Sequence, residues 1–146
     1  MNAEKYTQKS LAAVKDAQEL TIKNQNQQIE QIHLLSALLQ QDGGLVPQLL
    51  KKMGITVESL NAAVNEELSK LPRVTGSGRE ADKYYVSRDV DAALTKAESI
   101  AEGMKDDFVS VEHLLLALIE CPDATVKELF RTYNITKEAC LKTLQT

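Results

Sequence analysis

The residues of this 146-residue chain that could perform chemistry include two histidines, which are its only ones. His33 and His113 suggest a metal site or a general base, because imidazole serves in both. Neither is followed three or four residues later by another histidine, a cysteine or a carboxylate, which is the spacing of paired ligands on a helix. We therefore interpret both as structural residues that play one role twice, near the start of a helix.

No nucleophile stands in a catalytic pattern. The Gly76-Ser77-Gly78 stretch lacks the spacing of a nucleophile elbow, and no Gly-Lys-Ser/Thr follows it to make a phosphate loop. Cys121 and Cys140 are expected to pack as small apolar side chains. The sequence predicts a non-catalytic chain with no metal and no cofactor of its own.

Carboxylates are concentrated in the second half of the chain, and for most of them a solvated face is the simplest interpretation. Asp106, Asp107 and Glu112 differ because they bracket the turn into an apolar helix. Together with Thr7 they are expected to form a polar rim beside apolar helix faces. Such a rim suits an extended or unfolded polypeptide, whose backbone amides and basic side chains need acceptors.

The composition limits the partners. Lys and Arg number 17 and Asp and Glu number 21, so the net charge of −4 argues against nucleic acid and against an anionic membrane surface. No apolar run approaches the roughly 20 residues of a membrane span. Two isolated cysteines fit a reducing cytosol, so a cytoplasmic location is expected.

The elements that position these residues come in two copies. Shifting the chain by 80 residues lays 6–66 over 86–146 without a gap and gives 13 identities in 61 positions. The motif His-Leu-Leu-x-Ala-Leu occurs in both copies, at 33–38 and 113–118. The order of the apolar positions is also the same, which indicates an internal duplication.

Each copy is predicted to begin with two longer helices. Thr7 and Ser87 have the residue types of N-caps for the first helices, and Ser110 has that of an N-cap for the second helix of copy two. The second helices, 32–40 and 112–120, are apolar on most sides and are expected to lie innermost.

Two further helices complete each copy. The short third helices are expected to stop at residues that tolerate a left-handed backbone, Gly54 and Asn134. The fourth helices start after Thr56 and Thr136. Sustained alternation of polar and apolar residues is absent, so the predicted fold class is all-α.

The predicted architecture is two tandem four-helix repeats packed about a pseudo-twofold axis as one domain over 1–146. Repeat one covers about 6–70 and repeat two about 86–146. Between them, 71–85 is rich in Pro, Gly and Ser, which predicts a mobile linker. A single repeat of about 60 residues would bury little apolar surface on its own.

The duplicated unit, with His-Leu-Leu-x-Ala-Leu in both copies, resembles the Clp N-domain of the AAA+ unfoldases. The stretch 71–76, Leu-Pro-Arg-Val-Thr-Gly, is similar to the link typical of the protein-disaggregase branch of that family. The opening residues 6–9, the turn at 27–29 and the segment 106–113 fit the same branch. The resemblance covers roughly 5–146.

The resemblance implies a module that recruits substrates. It would bind exposed apolar segments of unfolded or aggregated proteins and pass them to the pore of a homohexameric ATPase. The ATPase modules, which would bind ATP and Mg²⁺, are absent from this chain, and a DnaK-type chaperone system is the implied partner of the whole protein. The isolated fragment is expected to be monomeric, because the hexamer contacts would lie in the ATPase modules.

The resemblance also implies site residues. Thr7, Asp106 and Glu112 would supply polar contacts to the client. We expect the apolar groove between the first helices of the two copies, where Val14 and Leu94 are equivalent.

Two departures from the family pattern affect this interpretation. Another branch recognises phosphorylated arginine through an acidic residue before each repeat histidine; Glu112 is acidic here but Ile32 is not, so that recognition is not expected. Gln31 and Val111 stand where relatives often have proline, which predicts a less rigid helix start.

One alternative function stays open, a docking platform for a folded adaptor protein. Client binding should be weak, tolerant of sequence and sensitive to changes in the apolar groove. Adaptor docking should be tight, stoichiometric and lost when a few surface charges change.

Overall fold

The computed structural model describes residues 1–74 and 85–145. Its first repeat contains helices α1 (Gln8–Lys23), α2 (Gln31–Gln40), α3 (Leu45–Lys52) and α4 (Val57–Ser69). The second contains α5 (Arg88–Gly103), α6 (Val111–Glu120), α7 (Ala124–Thr132) and α8 (Lys137–Leu144). The predicted all-α fold of two four-helix repeats is confirmed. Most of the predicted linker, 75–84, lies outside the described residues.

The predicted helix starts are confirmed by their hydrogen bonds. The Oγ1 atom of Thr7 accepts the N–H of Ser10 at 3.1 Å, and the Oγ atom of Ser87 accepts the N–H of Val90 at 3.1 Å. Both caps satisfy a donor that the first helical turn would otherwise leave unpaired. Thr56 precedes α4 as its N-cap residue without a side-chain cap hydrogen bond, whereas Oγ1 of Thr136 accepts the N–H of Ala139 at the start of α8, at 3.2 Å.

The third helix of each repeat, α3 or α7, is followed by a residue with a left-handed backbone, and the two residues occupy equivalent positions. Gly54 has φ +84° and Asn134 has φ +60°, as their residue types predicted. Gln25 and Lys105 are also left-handed, with φ of +57° and +60°, just after α1 and α5. Neither residue type signals this conformation, so the sequence did not indicate these two turns.

The core lies where the two second helices meet. Every residue from 31 to 39 of α2 is buried, and so is every residue from 113 to 118 of α6. The buried apolar side chains of both repeats form one contiguous cluster. This arrangement confirms that the most apolar helices are innermost.

Each repeat lends a short extended segment to the other. The segments at 6–7, just after a short 3-10 helix (Ala3–Lys5), and at 85–87, which we call the arms, run parallel to the turns before α6 and α2 respectively. The N–H of Thr7 donates to the carbonyl of Val109 at 3.0 Å, and the N–H of Ser87 donates to the carbonyl of Ile29 at 3.1 Å. The two exchanges are related by the 80-residue shift, which shows the pseudo-twofold relation directly.

The second exchange includes two-residue strands, β1 (Gln28–Ile29) and β2 (Tyr85–Val86). They are too short to show alternation in the sequence, and for that reason they were not predicted. In the part of the chain that is described, no helix is long and apolar enough to cross a membrane.

Candidate functional site

Both histidines close the N-terminal end of a central helix. The backbone N–H of Glu30 donates to Nδ1 of His33 at 2.9 Å, and the backbone N–H of Ser110 donates to Nδ1 of His113 at the same distance. Because Nδ1 accepts in both, each neutral imidazole carries its proton on Nε2. The structural interpretation of the pair is confirmed.

The Nε2 atoms find different partners in the two repeats. His33 is 2.8 Å from Oδ1 of Asn26, whereas His113 is 2.8 Å from Oδ2 of Asp106, which is 80 residues after Asn26. The amide of Asn26 also donates to the carbonyl of Pro72 at 3.1 Å, which fixes its orientation. Burial lowers the pKa of His33 to about 4, so this imidazole is neutral near pH 7.

Asp106 therefore has a structural task as well as its predicted contact with a client. One oxygen accepts from the buried His113, while the side chain is 47% exposed. Asn26 performs the same task without a charge, so the turn requires an acceptor here and not a carboxylate. The negative charge of Asp106 is available for another purpose.

Asp106 and Glu112 line one surface groove of about 480 Å³, which we call the acidic groove. Its lining residues are Met104, Asp106, Asp107, Phe108, Ser110, Glu112, His113 and Leu144. The Oε1 atom of Glu112 is shielded from solvent and has no hydrogen-bond partner among the described residues. Burial, with a contribution from Glu112, raises the pKa of the Cys140 thiol to about 11, so that thiol stays protonated.

Val14 and Leu94 line a second site, a pocket of about 160 Å³ between α1 and α5, which we call the apolar pocket. Its other apolar lining residues are Met1, Ala17, Ile29, Leu34, Val86 and Val90, and its polar ones are Gln18 and Asp91. The pseudo-twofold relation brings Val14 and Leu94 to this pocket from opposite sides. A dry cavity of about 150 Å³ is large enough for a benzene-sized group, so this pocket can admit one apolar side chain.

Thr7 lines neither of these two sites. It caps α1, and its N–H reaches Val109 in the turn that carries Asp106. The five predicted site residues thus divide into a pair in the apolar pocket, a pair in the acidic groove, and Thr7 at the contact between the arm and the turn.

Gln31 is a residue whose importance the sequence did not indicate. Its amide donates to the carbonyls of Asp89 and Cys121 at 2.9 and 2.8 Å, and its oxygen accepts the N–H of Asp123 at 2.8 Å. The side chain is fully buried. These three bonds tie the start of α2 in the first repeat to α5 and to the loop between α6 and α7 in the second, which counts against the prediction of a less rigid helix start at this position.

Metal chemistry receives no support from the residues that the structure describes. Within 1–74 and 85–145, no group of three or more His, Cys, Asp or Glu side chains could hold a metal ion. The two surface sites offer carboxylates, one exposed aromatic ring and an apolar cavity. These groups can bind a polypeptide without reacting with it.

Comparison with known proteins gives consistent matches. Residues 5–133 match the family described as "Clp repeat (R) N-terminal domain". The chain is 37% identical over 145 residues to the chaperone protein ClpB of Clostridium perfringens and 36% identical over 146 residues to that of Bacillus anthracis. These matches cover 99% and 100% of this chain but 17% of each relative, so the chain spans about a sixth of their length.

A solved structure shows the same fold. The Hsp104 N-terminal domain from Candida albicans matches with a TM-score of 0.81 and 25% identity, over 94% of this chain and 87% of that one.

Proposed function

The chain belongs to the family of Clp repeat N-terminal domains, and on that basis we propose that it recruits clients for an ATP-dependent protein disaggregase. It binds exposed apolar segments of unfolded or aggregated proteins and has no catalytic role of its own. The observation that carries this proposal is the apolar pocket between α1 and α5, where Val14 and Leu94 face a cavity sized for one side chain. Asp106 and Glu112 supply acceptors on the same repeat as Leu94, and Thr7 contributes from the start of α1.

The remaining parts of the proposal concern the parent protein. Because the curated relatives are about six times longer than this chain, the ATPase modules, with their ATP and Mg²⁺, would lie outside it. The parent would be a cytoplasmic homohexameric AAA+ ATPase of the stress response that works with a DnaK-type chaperone system. This chain would deliver the client segment to its pore.

A folded adaptor is the second candidate partner. Phe108 and Met104 are large apolar residues that are 53% and 44% exposed, a surface that a rigid protein could cover. Adaptor docking would require tight, stoichiometric binding of a folded protein, whereas a single side-chain pocket suits weak binding of many unfolded segments.

The test is a residue-resolved NMR titration of the chain with a soluble, permanently unfolded polypeptide, with a native globular protein as control. We expect the unfolded polypeptide to shift the NMR signals around Val14 and Leu94, and we expect the globular control to leave them unchanged. Val86→Ser should weaken binding because Val86 lines the pocket, and its 47% exposure makes the variant compatible with folding.

Leu45→Ser is the matched control, because Leu45 is 39% exposed and does not line the pocket. Equal weakening by both substitutions, or no shifts at millimolar unfolded ligand, would refute client recruitment by the apolar pocket. Saturable shifts with a folded protein alone would favour the adaptor.

A further inference from the structure

Tyr6 and Val86 are equivalent residues of the two arms, and they differ greatly in size and burial. They stand 80 residues apart, and Tyr6 is paired with Val109 as Val86 is paired with Ile29. Tyr6 is 6% exposed and belongs to the shared core, whereas Val86 is 47% exposed and lines the apolar pocket. The second repeat therefore receives a large, buried aromatic side chain where the first receives a small, exposed one.

The hydroxyl of Tyr6 is held by a residue that also has an equivalent in the apolar pocket. It donates to Oε2 of Glu98 on α5 at 3.1 Å. Burial and the neighbouring Glu98 carboxylate raise the pKa of this hydroxyl, so it stays protonated and can donate. The residue equivalent to Glu98 is Gln18 on α1, which lines the apolar pocket. The amide of Gln18 is partly exposed and makes no hydrogen bond to any residue that the structure describes.

The apolar residues around this position are repeated as well. Ile29 and Leu34, which line the apolar pocket, correspond to Val109 and Leu114, which are buried in the second repeat. The first repeat thus has the apolar residues and the amide, but a valine where the second repeat has a tyrosine. Its pocket of about 160 Å³ is of the size that takes one benzene ring.

We infer that the apolar pocket selects tyrosine: the ring of a client tyrosine occupies the pocket beside Val86, and its hydroxyl bonds to the amide of Gln18. A buried phenol needs a polar partner, and an amide can both donate and accept. Met1 also lines the pocket, and a thioether makes favourable contacts with an aromatic ring. This inference rests on the proposed function and names the side chain that the pocket takes from a client.

The experiment uses three unstructured peptides that are identical except for one central residue, which is tyrosine, phenylalanine or leucine. Each peptide is titrated into the chain and followed by NMR at Val14, Leu94 and the side-chain amide of Gln18. The tyrosine peptide is expected to bind about two- to tenfold more tightly than the phenylalanine peptide, because it makes one more hydrogen bond. The leucine peptide, which lacks the ring, is expected to bind most weakly.

The substitution Gln18→Ala locates the hydrogen bond. It should reduce the affinity for the tyrosine peptide to that for the phenylalanine peptide. Gln8→Ala is the matched control, because it removes the same type of side chain from an exposed position of α1 that does not line the pocket. This control should keep the preference for tyrosine.

The substitution Val86→Tyr tests the comparison between the repeats. It places in the first repeat the residue type that the second repeat has, so the new ring should fill the pocket and abolish binding of all three peptides. Leu45→Tyr adds a tyrosine at a position that is 39% exposed and does not line the pocket, and this control should bind as the original chain does. Undiminished binding by Val86→Tyr would overturn the inference.

The outcomes for the two proposals are separable. The inference is overturned if the tyrosine peptide binds no more tightly than the phenylalanine peptide, or if its advantage survives Gln18→Ala. Client recruitment by the apolar pocket still stands in that case, provided that the peptides shift the signals of Val14 and Leu94. Shifts at Val14 and Leu94 with the tyrosine peptide alone would support the inference and count against recruitment of apolar segments in general.

Discussion

His33 and His113 carry out one capping task with partners of different charge. Asn26 accepts from the first imidazole, and Asp106 accepts from the second at the same 2.8 Å distance. The pair separates what the turn needs, an acceptor, from what the second repeat adds, a negative charge. Substitutions at Asp106 can therefore distinguish a structural role from a binding role.

Asp106→Asn should keep the free energy of unfolding within about 0.5 kcal/mol of the original, because the amide oxygen still accepts from His113. Asp106→Ala should lower that free energy by about 1–3 kcal/mol, because the buried Nε2–H loses its acceptor. Urea unfolding of both variants measures the difference. Equal losses would show that the charge itself holds the imidazole in place.

Acidification should destabilise the chain through His33. Burial holds its folded pKa at about 4, against 6.5 in an unfolded chain. Between these values the unfolded chain binds a proton that the folded chain does not, so the free energy of unfolding falls as pH falls from about 6.5 towards 4. The complete loss is on the order of 3 kcal/mol.

Urea unfolding at a series of pH values from about 7 down to 5 measures the start of this loss, above the range in which ordinary carboxylates titrate. NMR of the His33 ring in the folded chain provides the direct check. A folded His33 that titrates near 6.5 would contradict the prediction.

At the scale of the secondary-structure element, the first helix of each repeat begins with the same side-chain N-cap. Thr7→Ala and Ser87→Ala should each lower the free energy of unfolding by about 1 kcal/mol, because each removes a cap to the third helical N–H. If Thr7 also contacts clients, Thr7→Ala alone should weaken client binding. Thermal unfolding and peptide titration of the two variants separate these effects, and equal client affinity in both would limit Thr7 to capping.

The helices were predictable because their signals are local. N-caps at Thr7 and Ser87, left-handed stops at Gly54 and Asn134, and apolar central helices all follow from residue type and spacing. The apolar pair in the pocket was predictable for a different reason, since duplication makes Val14 and Leu94 equivalent and a twofold axis can bring equivalent positions together.

The missed features depend on contacts between distant residues. Gln31 is an ordinary polar residue in the sequence, and its three hydrogen bonds reach segments about 60 to 90 residues away. The turns at Gln25 and Lys105 use residue types that do not favour positive φ. The split of the polar site between Thr7 and the acidic groove likewise required the three-dimensional arrangement of arm and turn.

At the scale of the whole molecule, neither repeat is complete alone. The core is shared, the arms are exchanged, and Gln31 links α2 to the second repeat. A fragment of residues 1–74 should therefore be largely unfolded by circular dichroism, although it contains all of α1–α4. Adding a fragment of residues 75–146 should restore the helical circular-dichroism signal. That signal should stop rising when the two fragments are present in equal amounts, as a one-to-one complex requires.

The full chain under the same conditions is the control for this reconstitution. A cooperative unfolding transition of the 1–74 fragment alone would show that one repeat is a self-sufficient unit. Sedimentation of the full chain should give a monomer, because the complementary arms are already paired within it.

The exchanged arms also carry information about descent. Each arm lies on the other repeat in the same way, which is the contact that two identical chains make about a twofold axis when they swap a terminal segment. An ancestral single repeat would have needed a second copy of itself to cover its turn and its core. With both copies in one chain, the two halves need not be identical: Asp106 stands where the first half has Asn26, and a strictly symmetric pair would have to carry that charge twice.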